Sequence, residues 1–190
     1  MANVEHSSLT GSALHEPKGT STAASGEVYV ANGSGSGNWQ HIHRHLGATT
    51  TFSSSTPYAY SLDTDTVEKF LSPTISDSHV TGFTVVTSPN LRFSYDDPTS
   101  VTGLINLTMS STQSSGPTKN VEWALFKNGV EIVGSRTIRS IATGTWGSIS
   151  VTSVTTLNQN DYIEIKTKAD TDNVDVNYAN IYVSIIGMSA

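Results

Sequence analysis

Apolar and polar residues alternate along much of the chain after residue 79, the period-two signature of half-buried strands. Val101, Ile105, Leu107 and Met109 share one parity, with Gly103 among them. Val121, Trp123 and Leu125 share a face, as do Ile149 with Val151, Ile163 with Ile165, and Ile181 with Val183 and Ile185. These runs predict strands over 80–87, 91–95, 101–109, 121–127, 130–138, 146–154, 162–167 and 174–186. Turn signals separate them: Ser88-Pro89-Asn90, Asp96-Asp97-Pro98, Ser115-Gly116-Pro117 and Asn158-Gln159-Asn160-Asp161. The sharpest is Lys127-Asn128-Gly129-Val130, because Asn-Gly supplies the positive φ angles of a two-residue hairpin turn. No comparably long helical period occurs. Many short strands at this spacing predict an all-β jelly-roll β-sandwich.

Some strands are apolar on both sides. Phe126 lies opposite the core parity of its strand, and Tyr182 and Ile186 lie opposite that of the last one. A sandwich with a partly aromatic outer face covers that face with another subunit. These three residues are therefore the candidates for a self-association interface.

The chain before residue 49 has a different texture. It is polar, punctuated by Gly and Pro, and too poor in apolar residues to offset its own ordering entropy. The expected organisation is an extended N-terminal arm over 1–48, a Thr/Ser-rich joint over 49–56 and a jelly-roll domain over 57–190. Within the arm, Glu27-Val28-Tyr29-Val30 and Trp39-Gln40-His41-Ile42 flank a run of glycines and serines, which predicts a small β-hairpin. The glycine loop is not a phosphate cradle, since no Lys-Ser/Thr and no helix pattern follow it.

Composition supports the strand reading. More than a quarter of the 190 positions are Ser or Thr, while only 14% are charged. Thr and Val pack well on a pleated surface, whereas helix surfaces are normally filled with Glu, Lys, Ala and Leu. A net charge of −6 leaves no cationic field for nucleic acid or anionic membranes. No apolar run is long enough to cross a bilayer as a helix. The first residues lack the basic and apolar regions of a secretory signal, so synthesis in a cytoplasm is expected. With no cysteines, thiol catalysis, disulfides and zinc–thiolate sites are excluded.

Two resemblances to known proteins run through the chain. Ala124-Leu125-Phe126-Lys127-Asn128-Gly129, followed by Gly134-Ser135-Arg136, resembles the middle hairpin of trimeric jelly-roll domains of the tumour-necrosis-factor-like type found in phage virion proteins. Leu157-Asn158-Gln159-Asn160-Asp161-Tyr162-Ile163-Glu164-Ile165 is similar to that domain's loop into its penultimate strand. Independently, Leu9 to Gly19, with its Leu-His-Glu-Pro-Lys-Gly string, and Val28 to Trp39 resemble an N-terminal module of phage structural proteins. The resemblance implies a virion surface protein of a tailed phage: an arm docks on the major capsid protein and a homotrimeric jelly roll projects outward. The expected localisation is the outer surface of the capsid. At roughly 3.3 Å per residue, an arm of about 40 residues can run more than 100 Å over a shell. Leu9, Leu14, His15, Pro17, Tyr29 and Trp39 are the expected capsid-binding residues. Three arms per trimer turn a weak contact into a strong one. A tail-associated receptor-binding protein, whose jelly roll binds host saccharide, is the alternative; the short joint, in place of a long shaft, speaks for decoration.

His41, His43 and His45 alternate, and on a strand all three point to one face. They look like the alternating histidines by which phage fibres hold a metal on a threefold axis, and neutral imidazoles suit iron, nickel, copper or zinc. The other readings are a polar strand facing solvent or capsid, with Arg44 beside it, or a group that changes charge near pH 6.5. No other cofactor is expected. Asp63-Thr64-Asp65 and Asp170-Thr171-Asp172 lack the Gly and distal Glu of a calcium loop and read as turn residues. No Gly-x-Ser-x-Gly elbow occurs, and no catalytic residue is assigned. The chain is expected to be non-enzymatic.

Overall fold

The computed structural model describes residues 23–24, 27–31, 37–41, 46–52, 57–64, 68–69 and 77–188. The chain divides into two compact units, Met1–Arg44 and His45–Ala190. In the first, β1 (Glu27–Ala31) and β2 (Gly37–His41) pair antiparallel with Tyr29 opposite Trp39. Their rings meet edge-on, with centroids 5.5 Å apart. The predicted hairpin is present.

The second unit holds β3 (Leu46–Phe52), β4 (Tyr58–Leu62), β5 (Glu68–Lys69), β6 (Asp77–Thr81), β7 (Phe83–Val86), β8 (Arg92–Tyr95) and β9 (Val101–Gln113). It continues with β10 (Lys119–Lys127), β11 (Val130–Glu131), β12 (Thr137–Ile141), β13 (Gly147–Leu157), β14 (Tyr162–Ala169) and β15 (Val174–Met188). Two antiparallel sheets result. One has the order β13-β9-β15-β3-β6, with β4 beside β15; the other has the order β11-β10-β14-β8-β7, with β12 beside β10 and β5 beside β14. No helix occurs among the described residues.

The alternation read from sequence becomes the space between the sheets. Ile105, Leu107, Val183 and Ile185 face Phe93, Trp123, Leu125, Ile163 and Ile165, all fully buried. Removing one such side chain forfeits both transfer energy and packing, because interiors are close-packed. Asn128 and Gly129 take φ of 51° and 79°, which closes the two-residue hairpin between Lys127 and Val130.

Three expectations change. The arm and joint do not extend through residues 48 and 56, because Leu46–Phe52 is a strand inside the sheet, paired with β15 on one side and β6 on the other. Its inward residues are Leu46, Ala48 and Thr50, small enough after the first to hide the period. The predicted strand 130–138 is broken into β11 and β12. Buried Ser135 interrupts it: its hydroxyl accepts from Leu125 N–H at 3.0 Å and donates to Leu125 C=O at 3.2 Å, standing in for the ladder. Third, Phe126 is not on an open face. It is 8% exposed, and the Lys166 ammonium lies 4.2 Å from its ring centre.

Candidate interaction surfaces

The two outward faces of the sandwich differ in chemistry. On the sheet containing β10 and β14, outward positions carry charges that are satisfied locally. Arg92 bonds buried Glu164 at 3.0 Å and stacks 3.8 Å over the Tyr162 ring. Arg136 reaches both Glu122 and Glu131, and Lys168 lies 3.7 Å from Glu122. The bond to Glu131, ahead of that to Glu122, raises the Arg136 pKa above its ordinary value.

The other sheet presents almost no charge. Register places Val154, Leu104, Ile186 and Gly47 side by side on one outward row. Thr152, Asn106, Ser184 and Thr49 form the next, with Thr152 donating to Asn106 at 2.9 Å. Ser150, Thr108, Tyr182 and Thr51 form the third. None of these is Asp, Glu, Lys or Arg. Val154 is 59% exposed, Ile186 44%, Tyr182 39% and Met188 57%. Charge depletion with isolated aromatic and aliphatic anchors is the composition of an interface core, where water would have to leave ionic groups. Tyr182 and Ile186 were read from parity alone; Val154, Leu104 and Met188 were missed. The missed signal is the absence of charge over the even positions of 148–156 and 102–110.

The N-terminal hairpin is apolar on both sides. Val28 and Val30 are 37% and 42% exposed, and Tyr29 and Trp39 pair on the opposite parity. An isolated two-stranded hairpin is marginal in water. Leu9, Leu14, His15 and Pro17 lie outside the described residues. His41 ends β2 opposite Glu27, while His43 and His45 lie outside the described residues. Among the described residues no group of three His, Asp or Glu could hold a metal ion.

The loop carboxylates are structural. Asp172 accepts from Thr64 N–H at 2.9 Å and Thr64 hydroxyl at 2.7 Å, bonds that lower its pKa. Asp63 accepts from Asn173 N–H at 3.1 Å. Asp161 is a hub: it accepts from Asn158 N–H at 2.8 Å and the Asn128 carboxamide at 2.5 Å, and pairs with Lys127 at 2.9 Å. It ties the β13–β14 turn to the β10–β11 hairpin.

No protein-family model matches the chain, and no curated protein sequence matches it. Solved structures do. The chain is similar to Eiger TNF from S. frugiperda, at 10% identity and a TM-score of 0.50, over 76% of this chain and 93% of that one. It is also similar to murine APRIL, crystallised at pH 5.0, at 12% identity and a TM-score of 0.48, over 76% and 99% of the two chains. The domain from β3 to β15 is a jelly-roll β-sandwich of the TNF type. At such low identity the likeness is one of fold.

Proposed function

We propose that this chain is a non-enzymatic structural protein of a tailed-phage virion, a homotrimer that decorates the capsid and carries its jelly roll on the outside. The observation that carries the self-association is the set of charge-free rows on the outward face of the six-stranded sheet, on the opposite side of the sandwich from a face rich in satisfied ion pairs. Leu104, Val154, Tyr182, Ile186 and Met188 are its anchors. The TNF-like fold supports the reading, as trimers are the assemblies that this type of jelly roll forms in the phage proteins it resembles.

The capsid role is supported by the N-terminal unit. Its described part is a hairpin without a core, with apolar side chains on both faces, which is how a segment looks when its burial comes from a partner. The Leu9–Gly19 and Val28–Trp39 strings resemble phage docking modules. The partner is the major capsid protein, met through extended chain and pockets for Tyr29 and Trp39.

The test is co-sedimentation of labelled protein with tailed-phage particles and with emptied, expanded capsids, followed by imaging. Attachment at hundreds of copies over the shell is the expected result. Attachment to tails alone would select the saccharide-binding alternative. No attachment to any part of the particle would end the virion reading.

A further inference from the structure

Strand β13 closes one end of its sheet, pairing with β9 and, among the described residues, with no strand on its other side. It is long, and its eleven residues, Gly147–Leu157, contain neither a charge nor a proline. Such an edge is a template for strand addition, which proteins ordinarily blunt with lysines, prolines or inward-pointing charges. The strand itself carries none of these.

The protection comes from the facing sheet. The Arg139 guanidinium donates to Ser148 C=O, and the Lys127 ammonium donates to Thr156 C=O at 2.7 Å. Both cations hold inward parity, for Arg139 is paired with Val121 and Lys127 with Ile163. An inward charge at the sandwich margin is costly unless it finds a polar atom. Each finds an edge carbonyl across the gap. The local sequence accommodates this: a Cβ on Gly147 would collide with the Arg139 guanidinium, and Asp161 holds Lys127 at 2.9 Å.

Backbone groups of alternate residues point to the same edge. Ser150, Thr152 and Val154 therefore aim their N–H and C=O groups where Ser148 and Thr156 do. The two capped carbonyls stand four residues either side of Thr152. In an antiparallel pair of β13 strands related by a two-fold axis at Thr152, Ser148 of one copy meets Thr156 of the other. A cation on each carbonyl then blocks both ends of that pairing.

We propose that Lys127 and Arg139 are clamps that keep the β13 edge from pairing with β13 of a second copy. The role concerns the hydrogen-bonding edge of β13, while the outward side chains of the same strand belong to the proposed self-association face. The decisive variant is Arg139→Met, because Lys127 also supports Asp161 and its loss disturbs a turn. Light scattering coupled to size exclusion should find the wild type at one mass across concentration. Arg139→Met should form species of twice that mass and larger that grow with concentration, and adding Lys127→Met should increase them. Adding Ser153→Lys to Arg139→Met should restore the wild-type mass, because Ser153 has inward parity opposite Ile105 and an inward-pointing charge blunts the edge without touching the outward face or restoring the lost bond. A labelled peptide of residues 148–156 should bind Arg139→Met about tenfold more tightly than the wild type, a difference of about 1.4 kcal/mol. A folded Arg139→Met with wild-type mass at every concentration, equal peptide binding, or large species that Ser153→Lys leaves in place would each overturn the proposal. A monomeric wild type would defeat the trimer and leave this comparison intact.

Discussion

Burial alone would push the Asp161 carboxyl above its ordinary range, yet the Asn158 N–H, the Asn128 carboxamide and the Lys127 ammonium together hold it below. A carboxylate depressed in the folded state contributes stability above its unfolded pKa of about 3.9 and loses that contribution as pH falls through the folded value. Asp161→Asn is therefore expected to cost about 1–3 kcal/mol at pH 7 and clearly less at pH 2. Urea titrations at the two pH values measure this, and an equal cost at both would refute the electrostatic part. Tyr178 makes the contrasting case. Burial raises its pKa well above the ordinary tyrosine value, outweighing the opposing effect of its hydrogen bond with the Thr167 hydroxyl at 3.1 Å. It stays neutral and belongs to the packing, with its ring edge-on to Trp123 at 6.5 Å.

Elements were legible to different degrees, and the reason is side-chain size. Strands β9, β10, β14 and β15 announce themselves because large aliphatic residues alternate over their length. Strand β3 hides, because Gly47, Ala48 and three threonines give no contrast between its faces; only pairing with β15 and β6 makes it a strand. The break between β11 and β12 hides too, since nothing in Gly134-Ser135-Arg136 says that a serine hydroxyl will bond the Leu125 backbone. Ser135→Ala should leave the buried Leu125 N–H without its partner and cost about 1–3 kcal/mol. Hydrogen exchange at Leu125 should accelerate, and unchanged protection there would count against this account. Gly129→Val tests the hairpin in the same terms, since a β-branched residue at a φ of 79° is strained by about 1–3 kcal/mol. The candidate self-association face was half visible: parity isolates Tyr182 and Ile186. Phe126 is covered within its own chain by a lysine of the neighbouring strand, and cross-strand register is not written in a strand's own sequence.

For the whole molecule, the proposed trimer predicts three copies of a 20.2 kDa chain in solution. Ile186→Glu places a charge at the centre of the apolar row and should reduce the mass to that of one chain with the circular dichroism of strands retained. An unaltered trimer would move the interface elsewhere. A chain beginning at His45, where the second unit starts, should keep the wild-type assembly and lose attachment to capsids. Attachment by this shortened chain would remove the docking role from the N-terminal unit.

The position of β15 also bears on how the protein is made. It lies between β9 and β3, pairing with both, so the sheet that contains the first strand of the sandwich is joined by the last. A nascent chain leaving the ribosome holds β3 and β9 without their common neighbour until residues 174–188 have emerged. Closure therefore waits for β15 and is governed by sequence-distant pairing, which is intrinsically slow. A product halted before Val174 would carry two bare edges at once, the exposed strand edges that make incomplete chains prone to aggregation.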